Sequence, residues 1–481
     1  MKIVKVVLSL MLLTVNCFAG NNGGCKKITL NECIEAALKS ANALKIKSYE
    51  VSNFQLEVER AEAIFEPLVW SNVMLNNINI PADSTLDGVN ILEITDLSVD
   101  IGLTKQLITG TKLDLTFNNF YENTNIVNQV VNPLYKTSVG LNIKQSILSG
   151  AKKSTITHTI EVAKINFTIA SNDYNEVKNE IENNTKKAYM EFSYSYLGYK
   201  LCREILGNIR EIEKNAQDKL KAGEISYTDI LKIKEKVLEE QAACADMQRQ
   251  YVEAELILKK LMNIDYYEDD HVKFIPSDIY EPYINKYDFE YVRKKGVSHR
   301  YEYIKQLKEL DRKEIILKFA EVNNMPALNA VAGARVNGME KDLFDSYSQM
   351  SKMNYYGWQV GLEFSVPVGN KDKRNSYIQA KNELDKEKVK LSDIENNYYY
   401  EMKITISRLK FLNEQVENLR QIVAFSNKRF EAVKEKFNKG MASNNDILET
   451  LYEMKDIKVK LNETILENNL TAIEIMRLIG E

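Results

Sequence analysis

Two rhythms of apolar residues alternate along this chain. In the first, Leu30, Ile34, Ala37, Leu38, Ala41 and Leu44 recur every three or four positions, and Val51, Phe54 and Val58 continue the series. That spacing predicts a helix over 28–66, ended by Pro67. Residues 68–80 read as extended. In the second rhythm the period is two. Leu97-Ser98-Val99-Asp100-Ile101-Gly102-Leu103-Thr104 alternates strictly, as do Lys112–Asn118 and Ser138–Lys144. Such stretches are strands with one apolar and one polar face. Residues 81–95 and 121–136 read as polar loops. From Ser149-Gly150 a helix of about 70 residues, roughly 105 Å long, runs to Ala222 without a proline. The return helix, 228–262, spans roughly 50 Å, half of the outgoing one. The 28–66 helix has about the length of the missing half, and end-to-end stacking would complete the pair.

The same order then recurs. A helix over 299–324 ends at Pro326, a strand follows over 327–336, and 337–355 reads as a loop. The alternating strand Trp358–Val366 is stopped by Pro367 and followed by helices over 371–438 and 444–479. The turns between the long helices are near copies. Lys219–Leu231 and Lys436–Leu448 each carry Gly, then Ser three residues on, then Asp-Ile-Leu, at an offset of 217 residues. Gly223 and Gly440 supply the positive φ that ends a helix. Ser226 with Asp229, and Ser443 with Asp446, have the spacing of an N-cap and its box partner. Two matched tips predict an internal duplication, with 20–270 as the first repeat and 271–481 as the second. The last helix carries one heptad row at Ile447, Leu451, Met454, Leu461, Ile465 and Ala472, broken by Lys458 and Asn468. A weaker row runs through Leu448, Tyr452, Val459, Leu466 and Ile473, broken by Lys455, Asn462 and Asn469. Two seams let a helix pack between two neighbours, as in the wall of a helical tube; one wide stripe in a four-helix bundle is the plainer alternative.

Composition narrows the class. The net charge of −4 gives no footprint for nucleic acid. Residues 1–19 read as a signal peptide: Lys2 and Lys5, an apolar run Val6–Val15, and Cys17-Phe18-Ala19 before the cleavage point. No other segment has the roughly 18 apolar residues of a spanning helix, so contact with a membrane would be through strands or the surface. Cys25 follows Asn22-Gly23-Gly24, a poor lipoprotein box. The three histidines, His158, His271 and His299, have no partner at metal spacing, and His158 is expected on the surface. No phosphate loop or nucleophile elbow occurs. No enzyme, cofactor or metal is expected.

With the two tips, the Trp358–Pro367 strand entering the next helix and the Arg477-Leu478-Ile479-Gly480 ending, the chain resembles the TolC family of outer-membrane efflux proteins along nearly its whole length. The resemblance implies a mainly α fold with a β-barrel part. Long hairpins form a periplasmic tunnel, and a homotrimer shares one transmembrane barrel in the outer-membrane lipid. It implies a passive exit duct of a tripartite efflux or type I secretion system. A periplasmic adaptor would dock at tips carrying Gly223, Ser226, Asp229, Leu231, Gly440, Ser443, Asp446 and Leu448, and link the duct to an inner-membrane transporter. The family uses four strands per protomer. The extra hairpin here, 97–104 and 112–118 joined at Thr109-Gly110, means either a larger barrel or a hairpin outside it.

Three sets of residues follow. Val139, Leu141, Ile143, Trp358, Val360, Leu362, Phe364 and Val366 are expected to face lipid, and Ser138, Asn142, Gln359, Glu363 and Ser365 the lumen. Cys202 and Cys244 each lie 21 residues from Gly223. Equal distances from a tip place residues side by side, so a disulfide is chemically allowed there, with two buried thiols as the alternative; Cys25–Cys33 is a weaker pair. Asp446 and Glu449, three apart on one helix face, take the positions of the family's acidic periplasmic gate, with Asp229 the matching acid of the first tip and Lys232 in place of the second. Six carboxylates around one axis should attract cations, and repulsion should raise some carboxylate pKa values. Phe437 and Ala442 stand where the family has an aromatic hydroxyl and an arginine, so packing rather than a polar network is expected to hold the closed state. A structural or adhesive helical stalk, which should lack dyad-patterned strands, and an adaptor, which should have one hairpin, are the competing classes.

Overall fold

The computed structural model describes residues 25–151, 153–265, 272–283, 289–290, 292, 296 and 300–480; the expected signal peptide, His271 and His299 lie outside them. Strand β1 (Cys25–Ile28) leads into helices α1 (Leu30–Ser40) and α2 (Asn42–Glu62). The helix expected over 28–66 is therefore broken, at Ala41, whose ψ of 112° is outside the helical region. Four strands follow: β2 (Leu68–Pro81), β3 (Ile91–Gln106), β4 (Thr111–Thr124) and β5 (Leu134–Ser146). Helices α3 (Lys153–Lys221) and α4 (Tyr227–Leu261) form the first hairpin. Then come β6 (Lys273–Pro276), α5 (Tyr301–Asn323), β7 (Ala327–Glu340), α6 (Leu343–Ser351), β8 (Tyr356–Ser365) and the second hairpin, α7 (Lys371–Asn438) with α8 (Asn444–Ile479).

Strands β3, β4 and β5 extend into segments read as loops, because a backbone ladder pairs polar residues as readily as apolar ones: Asp96 lies opposite Glu122 and Tyr121 opposite Tyr135. Helix α6 occupies the segment read as the 337–355 loop. Asp342 starts it by accepting from the Phe344 and Asp345 N–H groups.

Two compact units divide the chain, each drawing on both repeats. The first takes residues up to Ile46, Asn175–Arg300 and Asn397 onward; the second takes Lys47–Tyr174 and Tyr301–Asn396.

In the second unit, six strands form one antiparallel sheet in the order β2-β3-β4-β5-β7-β8. The extra hairpin, β3–β4, thus lies within the sheet. Gly110, at φ +83°, makes its turn. Helix α6 packs on the sheet at Thr137, whose hydroxyl meets that of buried Ser346 at 2.8 Å. Gly338 permits the close approach, since a Cβ there would stand 2.0 Å from the Ser346 carbonyl oxygen. His158, expected at the surface, is half-buried with its ring stacked on Phe319 at 3.7 Å.

In the first unit, α3, α4, α7 and α8 share a core of Ile205, Ile209, Ile212, Ile233, Phe437, Ile447 and Leu451, each nearly or fully buried. Asn468 and Asn469, which interrupt the heptad rows, are buried too, and their amides are satisfied. Asn468 accepts from Tyr283 N–H and donates to Asn413, while Asn469 donates to the Tyr194 hydroxyl. Both predicted rows of α8 are buried or half-buried at every apolar position. β1 and β6 form a parallel pair that no periodicity announces, because four residues are too short to show one. It is anchored by Glu255, which accepts from Phe274 N–H at 2.9 Å and pairs with buried Lys259.

Candidate functional site

Each hairpin tip is built by backbone geometry. At the first, Glu224 N–H donates to Lys219 C=O and Gly223 N–H to Leu220 C=O, with Gly223 at φ +77°. At the second, Met441 donates to Lys436 and Gly440 to Phe437, with Gly440 at +74°. These bond pairs close the last helical carbonyls in the Schellman pattern. A reciprocal capping box starts the next helix. Ser226 accepts from Asp229 N–H while Asp229 accepts from Ser226 N–H, and Ser443 and Asp446 do the same.

The boxes set the charge of the tip acids. The Ser226 hydroxyl and backbone N–H hold the exposed Asp229 carboxyl below the usual range. The Ser443 backbone N–H, then its hydroxyl, does so for Asp446. Within one chain the shift is therefore downward, opposite to the rise expected from a ring of carboxylates. Glu449 is exposed and lines a groove of about 340 Å³ between α4 and α8 with Lys232, Glu235, Lys236 and Tyr452. Asp446 is committed to its cap and is not part of that lining. The two tips differ at their third apolar position: Leu231 is 47% exposed, whereas Leu448 is buried. Phe437 is 2% exposed, with the Lys219 ammonium 4.2 Å from its ring centroid, and Ala442 packs against the same core.

Higher on the first hairpin, Cys202 and Cys244 are disulfide-bonded, with Cα atoms 5.5 Å apart. Glu240, one turn from Cys244 and 1% exposed, lies beside them with its Oε1 3.1 Å from Cys202 Sγ, and its Oε2 pairs with Lys455 of α8 at 2.7 Å. Sequence reading missed Glu240 and Lys455, since an isolated acid and base in different repeats give no pattern. These three residues form the one Cys/Glu cluster of metal-ligating geometry among the described residues. With both sulfurs in a disulfide it has no thiolate to offer. Cys33 is a free thiol, and burial pushes its pKa up to about 12; the Cys25 side chain lies outside the described residues.

Apart from β2, where Trp70, Met74, Ile78 and Ile80 on one side alternate with Val69, Val73 and Leu75 on the other, the sheet has two chemically distinct faces. Register aligns Val69, Leu103, Leu115, Leu141, Ala334 and Trp358 in one row, and Ser71, Ile101, Phe117, Val139, Val336 and Tyr356 in the next. Ile143, Val360, Leu362 and Phe364 share that face. Strand β8 bares it most, with Trp358, Val360, Leu362 and Phe364 each more than 60% exposed. The other face carries Asn72, Asp100, Asn118, Ser138 and Asn337 in one row, and Thr104, Asp114, Asn142, Gly333 and Gln359 in another. Its side chains bond to one another: Asn118 to Asp100, Thr104 to Asp114, and Lys144 to Glu363 at 2.6 Å. A hollow of about 330 Å³ opens on this side among Thr116, Asn118, Ser138, Asn142 and Gln359.

Among the described residues no helix is long and apolar enough to cross a membrane. An antiparallel sheet with an apolar face, together with long paired helices, gives the element set of an outer-membrane channel fold. Residues 113–263 match the family model of outer membrane efflux proteins. The whole fold is similar to that of solved outer-membrane channels. The CmeC channel of Campylobacter jejuni is 15% identical, with a TM-score of 0.68 over 94% of this chain and 85% of that one. VceC of Vibrio cholerae is 13% identical, with a TM-score of 0.66 over 94% and 96%. MtrE of Neisseria gonorrhoeae, solved in an open state, is 12% identical, with a TM-score of 0.65 over 94% and 88%. No curated protein sequence matches this one.

Proposed function

We propose that this protein is a passive exit duct of the outer membrane, working as a homotrimer. The sheet would stand in the lipid and the hairpin tips would face a periplasmic adaptor and an inner-membrane transporter. The duplication of 20–270 as 271–481 would supply the two hairpins of each protomer. The observation that carries this reading is the apolar face that runs in register across all six strands, backed on β3, β4, β5 and β8 by polar side chains that bond to one another. A stalk has no use for such a face. Two exposed heptad rows support assembly: Leu231, Leu238, Ala245 and Val252 on α4, and Ile404, Phe411 and Phe425 on α7. Unpartnered rows of that length on soluble helices call for neighbouring helices. The basic test is a heat-modifiable trimer in outer-membrane fractions; a chain recovered only as a soluble monomer overturns the proposal.

Two results are expected of that trimer. Leu362→Arg puts a charge on the lipid face and should destabilise the barrel by about 2–4 kcal/mol near mid-bilayer, seen as a lower temperature of trimer dissociation. The neighbouring Glu363→Arg, on the polar face, should cost far less. Equal losses would remove the assignment of faces, and a larger loss at Glu363 would reverse it.

At the tips, Asp446 and Glu449 of three protomers would form a cation-attracting gate, with Asp229 nearby. Asp446 is held below the usual carboxylate range, so its charge persists at neutral pH and is lost only as the pH falls through that lowered value. Divalent cations added from the tip side should block single channels in planar bilayers. The block should weaken in the double variant Asp446→Asn/Glu449→Gln; unchanged block there would remove the gate.

A further inference from the structure

The tip groove belongs to the proposed gate, and the sulfurs of the Cys202–Glu240–Cys244 cluster are already bonded. The sheet has two open edges. Within one chain β2 and β8 lie at opposite edges, five strand spacings or roughly 24 Å apart. Each has a free row of backbone N–H and C=O groups. Strand β2 is exposed along nearly its whole length and carries Val69, Val73 and Leu75 on the apolar face; β8 carries Trp358, Val360 and Leu362 there. A free edge amid lipid leaves polar groups that no water reaches, at several kcal/mol for each group.

We infer that the β8 edge of one protomer pairs with the β2 edge of the next, so that three copies close an eighteen-stranded barrel with β3–β4 as part of its wall. This rests on the homotrimer proposed above. Two features fit a second copy of this chain as the occupant. The sheet has six antiparallel strands, an even number, so its two edges run in opposite directions and head-to-tail joining continues the antiparallel order without a break. Across the new seam the apolar side chains Trp358, Val360 and Leu362 of β8 share a face with Val69, Val73 and Leu75 of β2. The strand count also sets the width of the duct. At 4.8 Å between strands tilted by 40°, eighteen strands enclose a backbone diameter of roughly 35 Å, against roughly 24 Å for twelve. The duct would then admit cargo too bulky for a barrel with four strands per protomer.

The test is disulfide cross-linking of full-length protein in outer membranes. Val73→Cys is combined in one chain with Val360→Cys or Leu362→Cys, both of which have the face parity that pairing demands. At least one pair should shift the denatured chain from monomer mobility to dimer and trimer bands, while each single variant stays at monomer mobility. The native Cys202–Cys244 bond lies within one chain and adds no such band. A second pair, Val73→Cys with Leu141→Cys, reports on the alternative. In the wall described here β2 and β5 are separated by β3 and β4, and no intramolecular bond should form. Bond formation in that pair would show the hairpin expelled from the wall and overturn the inference. A ladder ending at dimer would overturn the count of eighteen. A native trimer without any β2–β8 cross-link would overturn the edge pairing while leaving the trimeric duct in place; a monomer in all variants would overturn both.

Discussion

Phe437→Ala lowers the stability of the hairpin bundle by about 3–5 kcal/mol, the cost of removing a fully buried phenylalanine from a core that cannot collapse around the void. Phe437 is 2% exposed and packs with Ile212, Ala216 and Ile447, which come from α3 and α8 while Phe437 itself belongs to α7. One truncation therefore loosens three helices beside the second tip. The Lys219 ammonium over its ring adds a smaller loss. Phe437→Leu, which refills most of the volume, should recover much of the difference. Denaturant unfolding of solubilised protein, followed by helical circular dichroism, reads both variants. A loss below ~1 kcal/mol for the alanine variant would place Phe437 with ordinary surface positions and remove packing as the means by which this tip is held.

Removing the Cys202–Cys244 bond should cost on the order of 4 kcal/mol, from the loop entropy that a 42-residue separation restores to the unfolded chain. The paired substitution Cys202→Ser/Cys244→Ser is the comparison, because it leaves no thiol beside buried Glu240 and a serine hydroxyl at 202 can donate to that carboxylate, which a disulfide sulfur, having no hydrogen, does not. That carboxylate must stay paired: it is 1% exposed and held by Lys455 from the other hairpin. The unfolding midpoint of the parent should fall on addition of dithiothreitol to that of the double variant, and the double variant should ignore the reductant. A parent insensitive to reductant throughout unfolding would mean that the bond contributes nothing.

The sequence by itself determined the two long hairpins and both tips, because these are governed by local rules. A helix of 69 residues and one of 68 announce themselves by long runs without proline. The Gly–Ser–Asp spacing of each tip encodes its cap chemistry residue by residue. Alternation likewise decided which side chains of β5 and β8 share a face, since a pleated strand leaves no other choice. The tertiary structure decided the rest. Whether the β3–β4 hairpin stands in the sheet depends on which edges find partners, a non-local backbone matter on which side-chain pattern is silent. Helix α6, the β1–β6 pair and the strand ends beyond the alternating core are stabilised by contacts with distant segments, so their local sequence carries too little signal. Asp446 illustrates the division most sharply. Its charge and its helix face were legible, but the capping box lowers its pKa, and that direction follows from a hydrogen-bond geometry that only the folded tip fixes.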